Sequence, residues 1–214
     1  MSPRPAAKSQ PKKPYHHGDL RRALLDAALG MLGEPGGAGL LTLREVARRA
    51  GVSHAAPYRH FPSKEALLAE VAEEGFRRLT EEMLHHAQPV EADPLQRHLA
   101  IGVGYVAFAA KYPAHFQVMF GMELTFEHAG LMEAGNRAFG TLLESITRCQ
   151  AAGVLRPGNP MELAVANWGL VHGLAQLNIH GRLGFTGLPQ GLDGLTRLAL
   201  KDLLEGTIVR PKSA

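Results

Sequence analysis

The stretch TLREVARRAGVSHAAPYRHFPSKEALL, residues 42–68, predicts two short helices with a turn between them. Thr42 and Glu45 have the spacing of a capping box, in which the threonine hydroxyl accepts the third backbone N–H and the glutamate reaches back. Gly51 ends this first helix, and Ser53 is placed to cap the second. The pair has the dimensions of a helix-turn-helix, although other helical corners also contain glycine and serine.

The rest of the chain is also predicted to be helical, because its apolar residues follow the helical period between clear caps and breaks. An N-terminal helix follows Asp19 and stops before Pro35. Later helices are expected over about 63–86, 94–112, 126–152 and 160–181, with a short piece before residue 121. A last amphipathic helix is expected to use Leu192, Leu195, Leu198 and Leu203 and to end near residue 206. No segment alternates as a strand does, so the sequence predicts an all-α fold of about nine helices.

Basic charge is concentrated in the N-terminal third. Residues 1–64 hold 11 lysines and arginines against 4 acidic residues, although the net charge of the whole chain is only +3. A polyanion partner such as DNA would account for this bias. Residues 1–15, rich in proline, serine and glutamine, are also typical of a solvated disordered arm. Charge alone leaves both explanations open.

Composition favours an intracellular protein. Cys149 is the only cysteine, which rules out an intrachain disulfide and a multi-thiolate zinc site. No apolar run reaches the ~18 to 20 residues that a membrane-spanning helix needs. His54 and His60 lie six residues apart, on different sides of a helix, without a cysteine or carboxylate at ligand spacing. We therefore expect a cytoplasmic protein with no metal, no cofactor and no membrane contact.

The second short helix carries side chains suited to DNA. His54, Tyr58, Arg59 and His60 donate hydrogen bonds to phosphates and base edges, while Ala55 and Ala56 are small enough for close approach to a groove. A helix-turn-helix places its second helix in the major groove. The pattern on its own leaves DNA binding and a plain helical corner open.

Residues 16–70 resemble the DNA-binding domain of the tetracycline-repressor (TetR) family, through the motifs VAxxAGVS and YxHFxxKExL. The resemblance implies a homodimer that binds operator DNA. It assigns phosphate contacts to Thr42, Arg44, Tyr58, His60 and Lys64. It assigns the groove-facing side to His54, Ala55, Ala56 and Arg59, and it places Ser53 in the DNA-binding set.

Pro57 departs from the family pattern, in which this position more often holds an aliphatic or polar residue. A proline here cannot donate to the carbonyl of Ser53, and it biases Ala56 away from the α conformation. We expect a tighter or tilted first turn, and hence a change in which side chains reach the bases.

The stretch NWGLVHGLAQLNIHG, residues 167–181, is the second informative segment. Trp168 and His172 share a helix face, and Gly169 and Gly173 allow another helix to approach closely. A packed core or dimer face explains this pattern, and so does a ligand cavity. The segment resembles the effector domain of a TetR subgroup with a Trp-His-Gly signature, which implies a homodimer through the last two helices.

TetR-type regulators generally bind a small molecule among their central helices, so the resemblance implies an effector site over residues 65–207, after a DNA-binding domain at 16–64. Aromatic and methionine side chains predict a mainly apolar, as yet unidentified effector, with histidine or asparagine as polar anchors. The candidate residues are Tyr105, Phe108, His115, Phe116, Met119, Phe120, Phe139, Asn167, Trp168 and His172.

We interpret the chain as a transcription regulator, by family default a repressor, that binds a palindromic operator as a dimer and is released by its effector. It is expected to have no catalytic activity and no catalytic residues. Two rivals stay open: a dimeric DNA-binding protein without an effector, and a metal-dependent enzyme that uses the 11 histidines.

Overall fold

The computed structural model describes residues 17–121, 128–184, 187 and 191–205. Within these ranges the regular structure consists of nine α-helices and two short 3₁₀ helices, without a β-strand. This confirms the all-α prediction. The chain divides into two compact units, Met1–Pro62 and Ser63–Ala214. The predicted arm over residues 1–15 lies outside the described residues.

The first unit contains three α-helices and one 3₁₀ helix. Their bounds are α1 His17–Leu32, α2 Gly37–Leu40, α3 Leu43–Arg49 and the 3₁₀ helix Pro57–Arg59. Helix α1 begins at His17, so it starts earlier than predicted and Asp19 lies inside it. The core of the unit is formed by apolar side chains with almost no exposed surface: Leu24, Ala28, Val46, Ala47 and Phe61.

Both ends of α3 are closed by local hydrogen bonds. The Thr42 hydroxyl accepts the Glu45 N–H at 3.2 Å, as predicted. The Glu45 carboxylate does not complete the capping box but pairs with Arg48. At the other end Gly51 has φ of +70°, and the N–H of Val52 donates to the Ala47 carbonyl at 3.0 Å, which is the Schellman arrangement.

The second helix of the predicted helix-turn-helix is not a regular α-helix. Residues 53–62 form successive tight turns around the 3₁₀ helix, so the predicted α-helix and its Ser53 cap are wrong. Because Pro57 has no N–H, the Ser53 carbonyl accepts the N–H of Ala56 at 3.0 Å instead. The tighter turn is thus confirmed, whereas Ala56 keeps α-helical angles, φ −61° and ψ −43°, against the expected bias.

The second unit contains the six remaining α-helices. They are α4 Lys64–Ala87, α5 Pro94–Lys111, α6 Pro113–Met119, α7 Ala129–Ala151, α8 Pro160–Ile179 and α9 Gly191–Leu204, with a 3₁₀ helix at Gln88–Val90. The predicted start of α7 at Phe126 lies outside the described residues. Among the described residues no helix has the length and apolarity needed to cross a membrane.

The predicted caps of α4, α5 and α8 are confirmed. Ser63 accepts the Ala66 N–H at 3.2 Å, Asp93 accepts the Gln96 N–H at 3.0 Å, and Asn159 accepts the Met161 N–H at 3.0 Å. Prolines at the first position of α5 and α8 fix the backbone where its N–H would have no helical partner anyway.

Helix α5 lies at the centre of the second unit, in contact with α4, α6, α7, α8 and α9. Two glycines permit this close packing. A Cβ on Gly104 would lie 2.7 Å from the backbone of α4, and one on Gly102 would lie 2.4 Å from the Leu200 side chain of α9. Helix α5 is consequently buried on nearly all sides, and its few polar residues must find partners inside the unit.

Helix α9 turns a different face inward from the one predicted. The sequence favoured a row through Leu192, Leu195, Leu198 and Leu203. The buried row is instead Thr196, Leu200 and Leu204, and Leu198 and Leu203 are 45% and 38% exposed. The helix therefore presents apolar side chains on two sides, one of which the described chain leaves uncovered.

Candidate nucleic-acid interface and effector cavity

The first unit presents most of its predicted DNA-binding residues to solvent. Tyr58 has 54% of its surface exposed, and His60 and Ala56 are half-buried. The remaining members in this unit are all exposed: Thr42, Arg44, Ser53, His54, Ala55 and Arg59. Lys64 is the first residue of α4 and belongs to the second unit.

Arg44 of α3 and Arg59 of the 3₁₀ helix differ from Arg48 and Arg49 of α3. Arg48 pairs with Glu45, and Arg49 pairs with Glu34 at 2.9 Å. Within the part of the chain that the structure describes, neither Arg44 nor Arg59 forms an ion pair, and both are exposed. Their charges are therefore available to an anionic partner.

The turns at 53–62 are held by two inward side chains. Pro57 and Phe61 are buried, and the Arg21 guanidinium lies 5.7 Å from the centre of the Phe61 ring. Because Pro57 and Phe61 point inward, Tyr58 and Arg59 between them point outward. The irregular segment therefore still presents a defined polar surface.

The second unit contains a cavity of about 290 Å³ that is partly open to solvent, which we call the aromatic cavity. Side chains of α4, α5, α7, α8 and α9 form its wall together with Phe120. Five of the predicted effector residues line it: Tyr105, Phe120, Phe139, Asn167 and Trp168. The prediction did not include the other wall residues, among them Phe76, Leu79, Met83, His98, Met132 and Leu142.

His98 is 1% exposed, as is Asn167, and these two are the most deeply buried polar residues of this wall. Its Nδ1 lies 2.8 Å from the Ser145 hydroxyl, and its Nε2 lies 3.0 Å from Oδ1 of Asn167. The Asn167 amide nitrogen donates to the Leu163 carbonyl at 2.7 Å, so the amide oxygen faces His98 and accepts from Nε2–H. Burial lowers the pKa of His98, opposed by the Asn167 hydrogen bond and assisted by the charge of Arg97.

A second hydrogen-bond chain joins α5 to α8. Trp168 Nε1–H donates to the Tyr105 hydroxyl at 3.2 Å, and that hydroxyl lies 2.9 Å from Nδ1 of His172. Burial raises the pKa of Tyr105 and lowers that of His172, so the tyrosine hydroxyl is the donor to a neutral imidazole. The Tyr105 hydroxyl thus links Trp168 to His172. Of these two α8 residues, only Trp168 lies on the cavity wall.

The other five predicted effector residues lie behind or beside the wall. Phe116 is fully buried and stacks on His172, with ring centres 5.2 Å apart. Phe108 packs on Tyr112 in the core. Met119 fills the space over Gly75 of α4, and His115 is buried with Nε2 3.9 Å from a Glu74 carboxylate oxygen.

No metal-binding group emerges from the described residues. Within them, no three histidine, cysteine, aspartate or glutamate side chains gather as ion ligands would. Cys149 is buried, its thiol donates to the Pro94 carbonyl, and burial raises its pKa to about 11, which makes it a poor nucleophile.

Comparison with known proteins agrees with this geometry. Residues 24–71 match the family model for bacterial regulatory proteins of the tetR family, and residues 98–203 match the model for the tetracyclin repressor-like C-terminal domain. The chain belongs to the TetR family. As a member of this family it is a DNA-binding transcription regulator and not an enzyme.

Relatives of this TetR-family chain include a nucleoid occlusion factor, SlmA, of Vibrio cholerae. It is 32% identical over 178 residues, which cover 79% of this chain and 87% of SlmA. A solved protein of unknown function from Rhodococcus sp. RHA1 is 35% identical with a TM-score of 0.80, covering 92% of this chain and all of that one.

A more distant solved structure is that of AibR in complex with isovaleryl coenzyme A and operator DNA. It is 20% identical with a TM-score of 0.60, and the match covers 73% of this chain and 86% of AibR. At this identity the likeness concerns the fold.

Lowering the pH from 7 to 5 is expected to destabilise this TetR-family chain in part through His98. Its pKa in the folded state lies below the ordinary 6.5, so below about that pH the unfolded chain binds more protons than the folded one. The free energy of unfolding therefore falls as the pH falls. Urea denaturation of the His98→Gln variant should show a shallower pH slope, by at most about 1.4 kcal/mol per pH unit.

His85→Gln, an exposed change on α4, is the control and should keep the wild-type slope. An unchanged slope in His98→Gln would show that His98 does not contribute to the acid sensitivity.

Proposed function

We propose that the chain is a homodimeric repressor that binds a palindromic operator and leaves it when a small, mainly apolar effector occupies the aromatic cavity. The observation that carries this proposal is the position of the cavity against α4. Phe76, Leu79 and Met83 of this helix line the cavity, and the helix begins directly after Pro62, where the DNA-binding unit ends. An occupant that favours one position of α4 shifts the population of DNA-competent dimers.

The proposed dimer rests on uncovered apolar surface. Met161, Val165 and Leu177 of α8 are 44–54% exposed, and Leu198 and Leu203 of α9 are also exposed. A two-fold interface through these helices would remove this surface from water and join two DNA-binding units in one molecule. We also infer a cytoplasmic location, because the proposed partner is operator DNA.

The DNA contacts are proposed to follow charge and exposure. Arg44 at the start of α3 and Tyr58, His60 and Lys64 are suited to phosphates. Thr42, which also caps α3, belongs to the same set. Ser53, His54, Ala55, Ala56 and Arg59 lie on the irregular segment and are proposed to face the groove.

A second candidate function has support from the curated relatives. The SlmA proteins are named nucleoid occlusion factors. This likeness keeps open the rival function, a dimeric DNA-binding protein without an effector. The apolar cavity favours the effector-responsive function, and the release experiment below separates the two.

Two arginine substitutions are expected to weaken DNA binding in different ways. Arg44→Ala should reduce affinity for operator and random DNA alike and lower the salt slope by about 0.9 per lost phosphate contact. Arg59→Ala should weaken operator binding by about 1–3 kcal/mol and reduce the preference of the protein for operator over random DNA. Fluorescence anisotropy with the promoter fragment that the protein protects from nuclease measures both.

Arg137→Ala, an exposed change on α7, is the matched control and should leave DNA affinity unchanged. Equal loss of operator and random binding in both arginine variants would contradict the groove assignment of Arg59.

Pro57→Leu is expected to alter operator preference. The new N–H can donate to the Ser53 carbonyl and restore a regular α-helical turn, which moves the groove-facing side chains. We expect the ratio of affinities for the best and second-best selected sequences to change on the order of tenfold, the value of one base contact. Selection of preferred sequences by both proteins measures it, with the exposed Pro62→Leu as control. Identical preference and affinity would contradict this role of Pro57.

Effector response is tested by a compound screen followed by operator release. Mainly apolar compounds that raise the Tm of the protein should weaken operator binding at least about tenfold, since ligand coupling energies in such systems are commonly 1–3 kcal/mol. Operator binding that is indifferent to every stabilising compound would favour the effector-free function. A screen in which only highly charged compounds bind would contradict an apolar effector.

A further inference from the structure

Among the residues that the structure describes, the wall of the aromatic cavity carries no charged side chain. Its members are aliphatic, aromatic, methionine and glycine residues of the described chain, with His98, Tyr105, Asn136, Asn167 and Trp168 as the polar or partly polar exceptions. An ionised ligand group would lose its water there without gaining a counter-charge. The cavity is therefore expected to bind uncharged ligands in preference to charged ones.

The buried polar groups of the wall already have partners. Both ring nitrogens of His98 lie within 3.0 Å of an oxygen, from Ser145 and from Asn167. The Asn167 amide nitrogen is engaged by the Leu163 carbonyl. His98 therefore has no ring nitrogen left to pair with a ligand carboxylate, and its lowered pKa keeps the ring uncharged near neutral pH.

The polar atoms of Tyr105 and Trp168 are likewise used within the protein. The indole N–H donates to the tyrosine hydroxyl, which in turn donates to His172. What these residues offer a ligand is mainly ring surface. Phe139 stands edge-on to Trp168, with ring centres 6.1 Å apart, and Phe120 lies 6.3 Å from the same indole. Such a cluster accommodates a further flat ring.

The size of the cavity limits the ligand further. A cavity of about 150 Å³ lined by aliphatic and aromatic side chains holds one benzene molecule. The aromatic cavity, at about 290 Å³, is roughly twice as large. Its volume therefore suits two rings.

We propose that the aromatic cavity binds an uncharged two-ring aromatic ligand, selected by ring surface and by the absence of charge. This inference rests on the proposed effector function and narrows its ligand to one chemical class. The ligand is not expected to be anchored by His115 or His172, because neither residue lines the cavity.

The test compares probes that differ in one property. 2-Naphthamide and 2-naphthoate have nearly the same size and shape, but only the second is an anion at pH 7.5, and benzamide keeps the amide with a single ring. Calorimetric titration of the purified full chain should show 2-naphthamide binding at least tenfold more tightly than either. Trp168, the only tryptophan, gives an independent fluorescence signal from the cavity wall.

A cavity-filling variant locates the binding. Gly135 of α7 lines the cavity, and a Cβ there would have the Phe76 ring at 4.0 Å as its nearest neighbour. Gly135→Leu should therefore abolish 2-naphthamide binding. Gly140→Leu makes the same change on the same helix, outside the cavity and with nothing within 4 Å, and should keep wild-type affinity. Circular dichroism checks the fold, and Gly135→Ala replaces Gly135→Leu if the larger side chain prevents folding.

Each other outcome overturns the inference. If 2-naphthoate binds as tightly as 2-naphthamide, the cavity does not select against charge. If benzamide binds as tightly as 2-naphthamide, the cavity does not select for two rings. If none of the three probes binds, the proposed ligand class is wrong. Binding retained in Gly135→Leu places the ligand elsewhere. Operator release by 2-naphthamide is measured separately, so binding without release contradicts the effector function and leaves the ligand class standing.

Discussion

The buried imidazole of His98 sets the arrangement of three helices in the second unit. It lies on α5, and its two ring nitrogens reach Ser145 of α7 and Asn167 of α8, 47 and 69 residues away. An unpaired polar group at this depth would be costly, so the three helices must keep the register that satisfies it. The aromatic cavity lies against this contact, with His98 and Asn167 in its wall. The same bonds that order the core leave His98 without a free ring nitrogen for a ligand.

The sequence predicted those parts of the fold that depend on local bonding. Ser63, Asp93 and Asn159 cap helices because their side chains reach backbone groups two or three residues away, which spacing alone reveals. The turns at 53–62 were mispredicted, because the missing N–H of Pro57 redirects the Ser53 carbonyl to Ala56. The predicted buried face of α9 was also wrong. This helix has apolar side chains on two faces, and the sequence alone does not show which face the other helices cover.

The sequence predicted the residues of the candidate site less well than it predicted the fold. Aromatic residues at helical spacing indicate burial, yet Phe108 and Phe116 belong to the packed core whereas Phe120 and Phe139 border the cavity. That difference depends on how five helices meet and has no local signal. His98 had a weak signal, a lone histidine within the apolar helix that also holds Tyr105. A buried histidine needs partners, and these were too distant in the chain to be identified by spacing.

A cavity of this kind is itself informative about function. Side chains that border a cavity make fewer contacts with other side chains than those in a closed core, so a chain gains stability when its own side chains fill such a space. Here filling would be simple, since a side chain at Gly135 would meet nothing nearer than the Phe76 ring at 4.0 Å. A protein that only dimerises and binds DNA gains nothing from keeping glycine at this place. A protein whose α4 responds to a ligand needs the space, because Phe76, Leu79 and Met83 can report an occupant only if one can enter. The cavity therefore favours the effector-responsive regulator over its effector-free alternative.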